Sequence, residues 1–219
     1  ILRGESMARR TAAEAELTRR KILMAANEVF WDEGVDNAAL ATVAKMAGVT
    51  RGAVYWHFKD KHAILNALFD ELSIPLRQPV PRNACLDNAW TWLARVLLNT
   101  VGDDTARKLL SIMFLQGPTG ECGIIRDGLT RLRKQFMRQI AAILESASRN
   151  GEISPDINLE MVEALFQSAI SGLLYECLQQ PENKESLIRS VLESLLCLIK
   201  SPPEHLLKVS VASGNCPNT

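Results

Sequence analysis

The chain lacks any strand signal. No alternating apolar–polar run bounded by turn residues occurs in it, which argues against a sheet-based fold. It also lacks the marks of a disulfide or metal scaffold. Its five cysteines (Cys85, Cys122, Cys177, Cys197 and Cys216) are scattered, odd in number and never paired as CxxC. Free cysteine in apolar helical stretches acts as a small hydrophobe, so a reduced, cytoplasmic chain is expected. There is no signal peptide and no apolar run long enough to span a bilayer, so no membrane partner is expected. Met7 reads as a natural start, with residues 1–6 ahead of it. Catalytic motifs are missing too: no G-x-S-x-G, no P-loop and no G-x-G-x-x-G. His57 and His62 are five apart and share no helix face, with no third ligand nearby, so neither a metal nor another cofactor is expected. Asp103 and Asp104 sit at a helix start, where capping accounts for them. An enzyme therefore has no residues to stand on.

Charge of one sign is missing as well, since 25 Lys and Arg balance 25 Asp and Glu. Whole-chain charge does not announce nucleic acid. What is present is local. Between Leu40 and His62, Lys45, Arg51, Lys59 and Lys61 face only Asp60, and a positive patch is what phosphate contact requires.

That basic stretch also has the strongest pattern. Leu40, Val43, Ala44 and Ala47 share one helical face. Gly48 stops this helix, since glycine takes positive φ without penalty. Thr50 is a good N-cap for a second helix over 51–58, with Val54 and Phe58 turned inward. Its other face shows Arg51, Tyr55, Trp56 and His57. Two short helices around a tight turn are a helix–turn–helix, whose second helix enters the major groove of DNA. An ordinary helical corner in a globular core has the same periodicity. A preceding helix over 17–33, with Ile22, Ala26, Val29 and Phe30 on one face and Gly34 at its end, would complete a three-helix head. Such a head is too small to be very stable alone and should dock onto the rest of the chain. The polar stretch 7–16, with Arg9 and Arg10, suits either a minor-groove arm or a frayed terminus. Asp60 should cap a further helix that buries Ile64, Leu65, Leu68, Phe69 and Leu72.

Pro75, Pro79 and Pro81 then break the chain. Helices are expected over 84–101, 105–116, 124–150, 159–178 and 185–199. Gly117, Pro118, Gly120, Gly151 and Pro181 serve as stops. The fold class is all-α, with domains over 7–60 and 61–202 and a disordered tail over 203–219. The last two helices are apolar over so wide an arc that they need cover on two sides. One side can be the core and the other a second copy of the chain, through Leu165, Gly172, Ile188, Val191, Leu192 and Leu195. Central helices in a monomer would show the same pattern. An apolar cavity between helices is the natural place for a small molecule. Its candidate lining is Leu93, Val96, Leu110, Met113, Phe114, Phe136, Ile140 and Ile170, with Gln167 and Ser171 adding polar contacts one turn apart; plain core is the alternative for each apolar member.

The order helix, Gly34, LATVAKMAGVTRGAVYWHFKDKHAIL resembles the head of the TetR family of transcriptional regulators, most specifically in AGVTRGAVYWHF and in the K-x-K before a helix. The start MARRT and the whole head are similar to the AcrR-type regulators of multidrug efflux pumps. The resemblance is clear over residues 7–72 and rests on helix order beyond. It implies a homodimeric repressor of an efflux operon, with double-stranded operator DNA and a lipophilic inducer as partners and a large, promiscuous pocket. The last two helices would form the dimer interface. In such a protein Arg51 would contact a base, since arginine pairs well with guanine edges. Thr42, Thr50, Tyr55, His57 and Lys61 would hold phosphates, and Trp56 would lie on the DNA backbone or pack into the head. An effector-dependent activator on the same fold, or a helical scaffold whose head contacts protein, are the alternatives.

Overall fold

The structure is a computed structural model that describes the backbone of residues 2–71, 75–81, 84–116, 123–179, 182 and 184–208, with the side chains of these residues from Ala12 onward except at 116. Among the described residues it is helical throughout, with one isolated backbone bridge between Ile157 and Leu207 and no strand. The α-helices among the described residues are α1 (Leu2–Glu33), α2 (Leu40–Ala47), α3 (Arg51–His57), α4 (Lys61–Glu71), α5 (Leu86–Gly102), α6 (Asp104–Ser111), α7 (Gly123–Arg149), α8 (Leu159–Gln179) and α9 (Lys184–Lys200). The expected stops at Gly117, Pro118, Gly120 and Pro181, the burial of Leu72 and the end of the tail lie outside the described residues.

Local signals act where they stand. Gly34, Gly48 and Gly151 follow the ends of α1, α2 and α7 with φ of 77°, 66° and 72°, a region that costs side-chain-bearing residues far more than glycine. Asp103 caps α6, its carboxylate accepting from the Ala106 amide at 2.8 Å, and Asn158 caps α8 by accepting from Met161 at 3.2 Å. Two spans differ from expectation. The first helix begins at Leu2, so the polar stretch before Leu17 continues the helix. The sixth helix ends at Ser111 and passes into a turn of π-helix over Ile112–Gln116. The wider turn falls where Leu109, Leu110, Ser111, Ile112 and Met113 are all buried, a stretch with no solvent side.

The chain forms two compact units. The first comprises Ile1–Arg77 and Asn99–Lys134. Its core joins Ile22, Ala26, Val29 and Phe30 of α1 to Val43 and Val54 of the next two helices and to Ile64, Leu65, Leu68 and Phe69 of α4, all essentially inaccessible. Helix α6 covers another side of α1: the Asn27 amide donates to the Thr105 carbonyl at 3.1 Å, and Lys108 pairs with Glu28 at 2.6 Å. The head is thus built into a larger body, as its small size demands. The sequence reading divides the chain after residue 60, whereas this unit keeps α4 with the head and adds α6 and the first half of α7.

The second unit comprises Gln78–Leu98 and Gln135–Thr219. Trp90 anchors it, meeting Phe166 edge-on at 5.2 Å and donating its indole N–H to the Leu192 carbonyl at 2.9 Å. The stretch expected as a tail from 203 onward is ordered as far as Lys208. Leu206 is buried, the Asn158 amide donates to its carbonyl at 2.8 Å, and the Lys208 amide donates to Asp156 at 2.7 Å. The apolar Leu206 and these backbone bonds hold the segment beneath the start of α8, which composition alone hides.

Candidate nucleic-acid interface

The turn between α2 and α3 is built by three consecutive devices. Gly48 in the left-handed region reverses the chain, and its amide and that of Val49 return to Lys45 and Ala44 at 3.2 and 3.0 Å. Thr50 then caps α3, its hydroxyl oxygen accepting from the Ala53 amide at 3.1 Å. Val54 and Phe58 enter the core at 0% and 3% exposure. Those two anchors fix which side of α3 is left outside.

The outer side is unusual in what it leaves in water. Trp56 is 74% exposed and Tyr55 51%, and Arg51 and Thr50 are exposed beside them. Trp56 does not pack into the head; its ring stands edge-on to His57 at 4.5 Å between centroids. Of the two placements open to it in the sequence, packing into the head is not the one seen. An aromatic of this size gains from burial, so a face that leaves it out is shaped for a partner. Thr42 of α2 and His57 are half-buried at the borders of this surface.

His57 is held below its ordinary pKa, first by partial desolvation and then by the nearby Arg19 guanidinium, with Glu16 opposing. Its imidazole is therefore mostly neutral at neutral pH. Arg19 was not legible as a site residue. It lies over the Phe58 ring, 4.5 Å from its centroid, and forms an ion pair with Glu71, tying α1 to the end of α3 and to α4. Its partners lie some forty to fifty residues along the chain, and no local spacing announces them.

Lys61 requires a correction. Read in sequence as a phosphate ligand, its ammonium instead donates to the carbonyls of Val35, Asp36 and Ala38 at 2.5, 2.9 and 3.1 Å. An ammonium has three donors, and this loop takes them all. Asp60 does cap α4, accepting from the Ala63 amide at 2.8 Å. The cation left outward at this junction is Lys59, whose side chain is 83% exposed and 3.9 Å from Asp60. Lys45 is exposed as well.

The residues proposed from sequence for a small-molecule site fall into both units. Leu110 and Met113 are buried and Phe114 half-buried in the first, while Leu93, Val96, Phe136, Ile140 and Ile170 are buried in the second. Ser171 is half-buried. Gln167 is exposed to solvent and does not line the interior. The residues proposed for a dimer surface also divide. Ile188, Leu192 and Leu195 are 0–4% exposed within the protomer's own core. Leu165 and Val191 are half-buried and Gly172 is exposed. The apolar groups left outside are Met161 and Tyr175 on α8 and Leu187 on α9, at 48%, 44% and 40%. With Leu165, Gly172 and Val191 they run along the outer side of these two helices.

A capped, outward-facing second helix on a helix–turn–helix, within an all-α chain, defines a DNA-binding regulator. The family profile described as "Bacterial regulatory proteins, tetR family" matches residues 22–68. SrpR, an HTH-type transcriptional regulator of Pseudomonas putida, is 35% identical over 201 residues, covering 92% of this chain and 94% of the relative. Among solved structures, MexZ of Pseudomonas aeruginosa, described as a key repressor responsible for antibiotic resistance, aligns with a TM-score of 0.64 and 29% identity over 87% of this chain and 98% of its own. SmeT in complex with triclosan aligns with a TM-score of 0.74, 22% identity and coverage of 84% and 93%; its shared feature is the fold. The chain belongs to the TetR family and is a transcriptional regulator. Among its described residues no helix is long and apolar enough to cross a membrane.

Proposed function

We propose that the protein is a homodimeric repressor that is released from its operator by a lipophilic effector and controls a multidrug efflux operon. The observation that carries DNA binding is the α3 face, where Arg51, Tyr55 and Trp56 are exposed around a capped N-terminus. Arg51 is the base-reading residue, because a guanidinium donates two hydrogen bonds to the guanine edge. Thr42, Thr50, Tyr55 and neutral His57 donate to phosphates, and Trp56 lies along the sugar–phosphate backbone. Lys59 takes the phosphate role first assigned to Lys61.

One short helix reads few bases, and two copies supply the affinity and the half-site spacing. The outer side of α8 and α9, with Met161, Leu165, Gly172, Tyr175, Leu187 and Val191, is the surface proposed for the second copy. The exposed aromatic and aliphatic side chains there suit a helix-on-helix interface. For the effector, the second unit offers Leu93, Val96, Phe136, Ile140 and Ile170, an apolar lining with Ser171 at its border. The description of MexZ as a repressor and the triclosan complex of SmeT support the repressor and lipophilic-effector readings. The effector need only prefer the state that does not fit the operator, since coupling equals the difference in affinity for the two states.

The test is a DNase footprint on the DNA upstream of the protein's own gene and of neighbouring transporter genes, with and without triclosan. A two-fold-symmetric footprint lost on adding triclosan is the expected result. No protection at low salt would overturn DNA binding. Transcript levels in a deletion strain then decide sign: the target rises if the protein represses and falls if it activates.

A further inference from the structure

Helix α4 is held at both ends inside the first unit. At its start Lys61 is bound to the loop carbonyls of Val35, Asp36 and Ala38, and Asp60 caps its first turn. Near its far end, eight residues on and about 12 Å along the axis, Phe69 is fully buried. There it meets α7 at a residue without a side chain. A Cβ placed on Gly128 would lie 2.5 Å from Phe69 Cδ2 and 3.0 Å from both Cε2 and Cγ. Gly128 is neither at a helix end nor at positive φ, and glycine inside a helix weakens it. Its place here is accounted for by the ring lying against bare backbone. Around the contact, the Arg77 guanidinium donates to the Asp70 carbonyl at 3.1 Å, Asp70 faces Arg131 at 3.5 Å, and Glu71 pairs with Arg19. The surrounding ion pairs are partly exposed and weak, whereas the ring–backbone contact is buried and has no slack.

We propose that Gly128 is a positioning residue for DNA binding: the Phe69–Gly128 contact sets where α4 rests, and through Lys61 it sets the seating of the α2–α3 head. A displacement of α7 at this point is passed to Phe69 directly, because close-packed side chains do not absorb an ångström of shift. This inference rests on the chain binding an operator as proposed above, and it names the residue on which the operator-competent position of the head depends.

The experiment measures the affinity of full-length protein for a duplex that the wild type selects from a random-sequence library. Alongside it runs the thermal midpoint followed by circular dichroism. Gly128→Ala is expected to weaken the selected duplex roughly three- to thirty-fold without effector, the range by which coupling residues act. Its helical signal should be retained, since alanine is the better helix former. Adding Phe69→Leu to Gly128→Ala removes ring volume where the methyl enters, and is expected to restore most of the lost affinity. Gly128→Ala binding as tightly as wild type would overturn the proposal. So would a double variant no tighter than Gly128→Ala, or an unfolded Gly128→Ala that Phe69→Leu does not rescue. If the wild type selects no duplex at all, the DNA-binding reading fails, and this proposal falls with it. A wild type that selects a duplex while Gly128→Ala is unaffected refutes this proposal alone.

Discussion

Arg51 and Lys61 show how differently two cations ten residues apart can act. Arg51 is exposed at the first turn of α3. Arg51→Ala should relax discrimination at one base pair in each half-site while binding to unrelated sequences persists, as measured by comparing affinities for single-base operator variants. Unchanged sequence preference would remove it from base reading. Lys61 is enclosed by three loop carbonyls. Lys61→Ala should therefore lower stability by about 1 kcal/mol, the scale of a charged hydrogen-bond donor lost from acceptors that are part-buried or exposed, seen as a lower denaturation midpoint. Lys59→Ala should instead leave the midpoint in place and flatten the salt dependence of binding by about one unit of slope. His57 adds a dependence on pH. With its pKa depressed in the folded head, the unfolded chain takes up the proton first. The contribution of His57 to stability is thus full above the ordinary histidine value of about 6.5 and falls as pH drops through the window beneath it. His57→Gln should reduce that part of the loss between pH 7 and 5. Gly48, Thr50 and Asp60 were legible in the sequence because their partners lie within three or four residues. The roles of Lys61 and Arg19 were not, because their partners lie at Val35 and Glu71, brought near only by the packing of α1 against α4.

Helices were legible as far as their periodicity was one-sided. In α2 the apolar stripe is narrow, so the buried residues Val43 and Ala44 could be read directly. Helices α8 and α9 are apolar over a wide arc, and periodicity alone cannot say which side meets the protomer's own core. The sequence reading therefore placed Ile188, Leu192 and Leu195 outward, whereas the contact of Trp90 with the Leu192 carbonyl draws that side inward. The consequence can be separated by charge. Leu187→Asp or Tyr175→Asp, on the outer side, should leave a folded chain that sediments as monomer, because a carboxylate cannot be buried against an apolar partner without a cation. Ile188→Asp, one residue away, should instead unfold the second unit. Sedimentation velocity and circular dichroism on the three variants distinguish the cases, and a dimeric Leu187→Asp would move the interface elsewhere.

At the scale of the whole chain, the all-α class and the need of the head for support were legible, since the first follows from missing strand signals and the second from size. Which segments supply the support was not legible. It comes from residues 99–134, and no local pattern connects Asn27 with Thr105 or Phe69 with Gly128. A chain cut after Arg77 keeps every residue of the helix–turn–helix yet loses that cover. Asn27 would lose its carbonyl partner, Glu28 its lysine, and the inaccessible ring of Phe69 its neighbour on α7. A three-helix head with α4 buries too little apolar surface to absorb those losses. The fragment 1–77 should therefore be largely unfolded at 25 °C, judged by a non-cooperative thermal melt. Fusing residues 99–134 to it through a flexible linker should recover a cooperative transition. A fragment 1–77 that melts cooperatively by itself would mean that the head is an independent domain, and that α6 and α7 only rest against it.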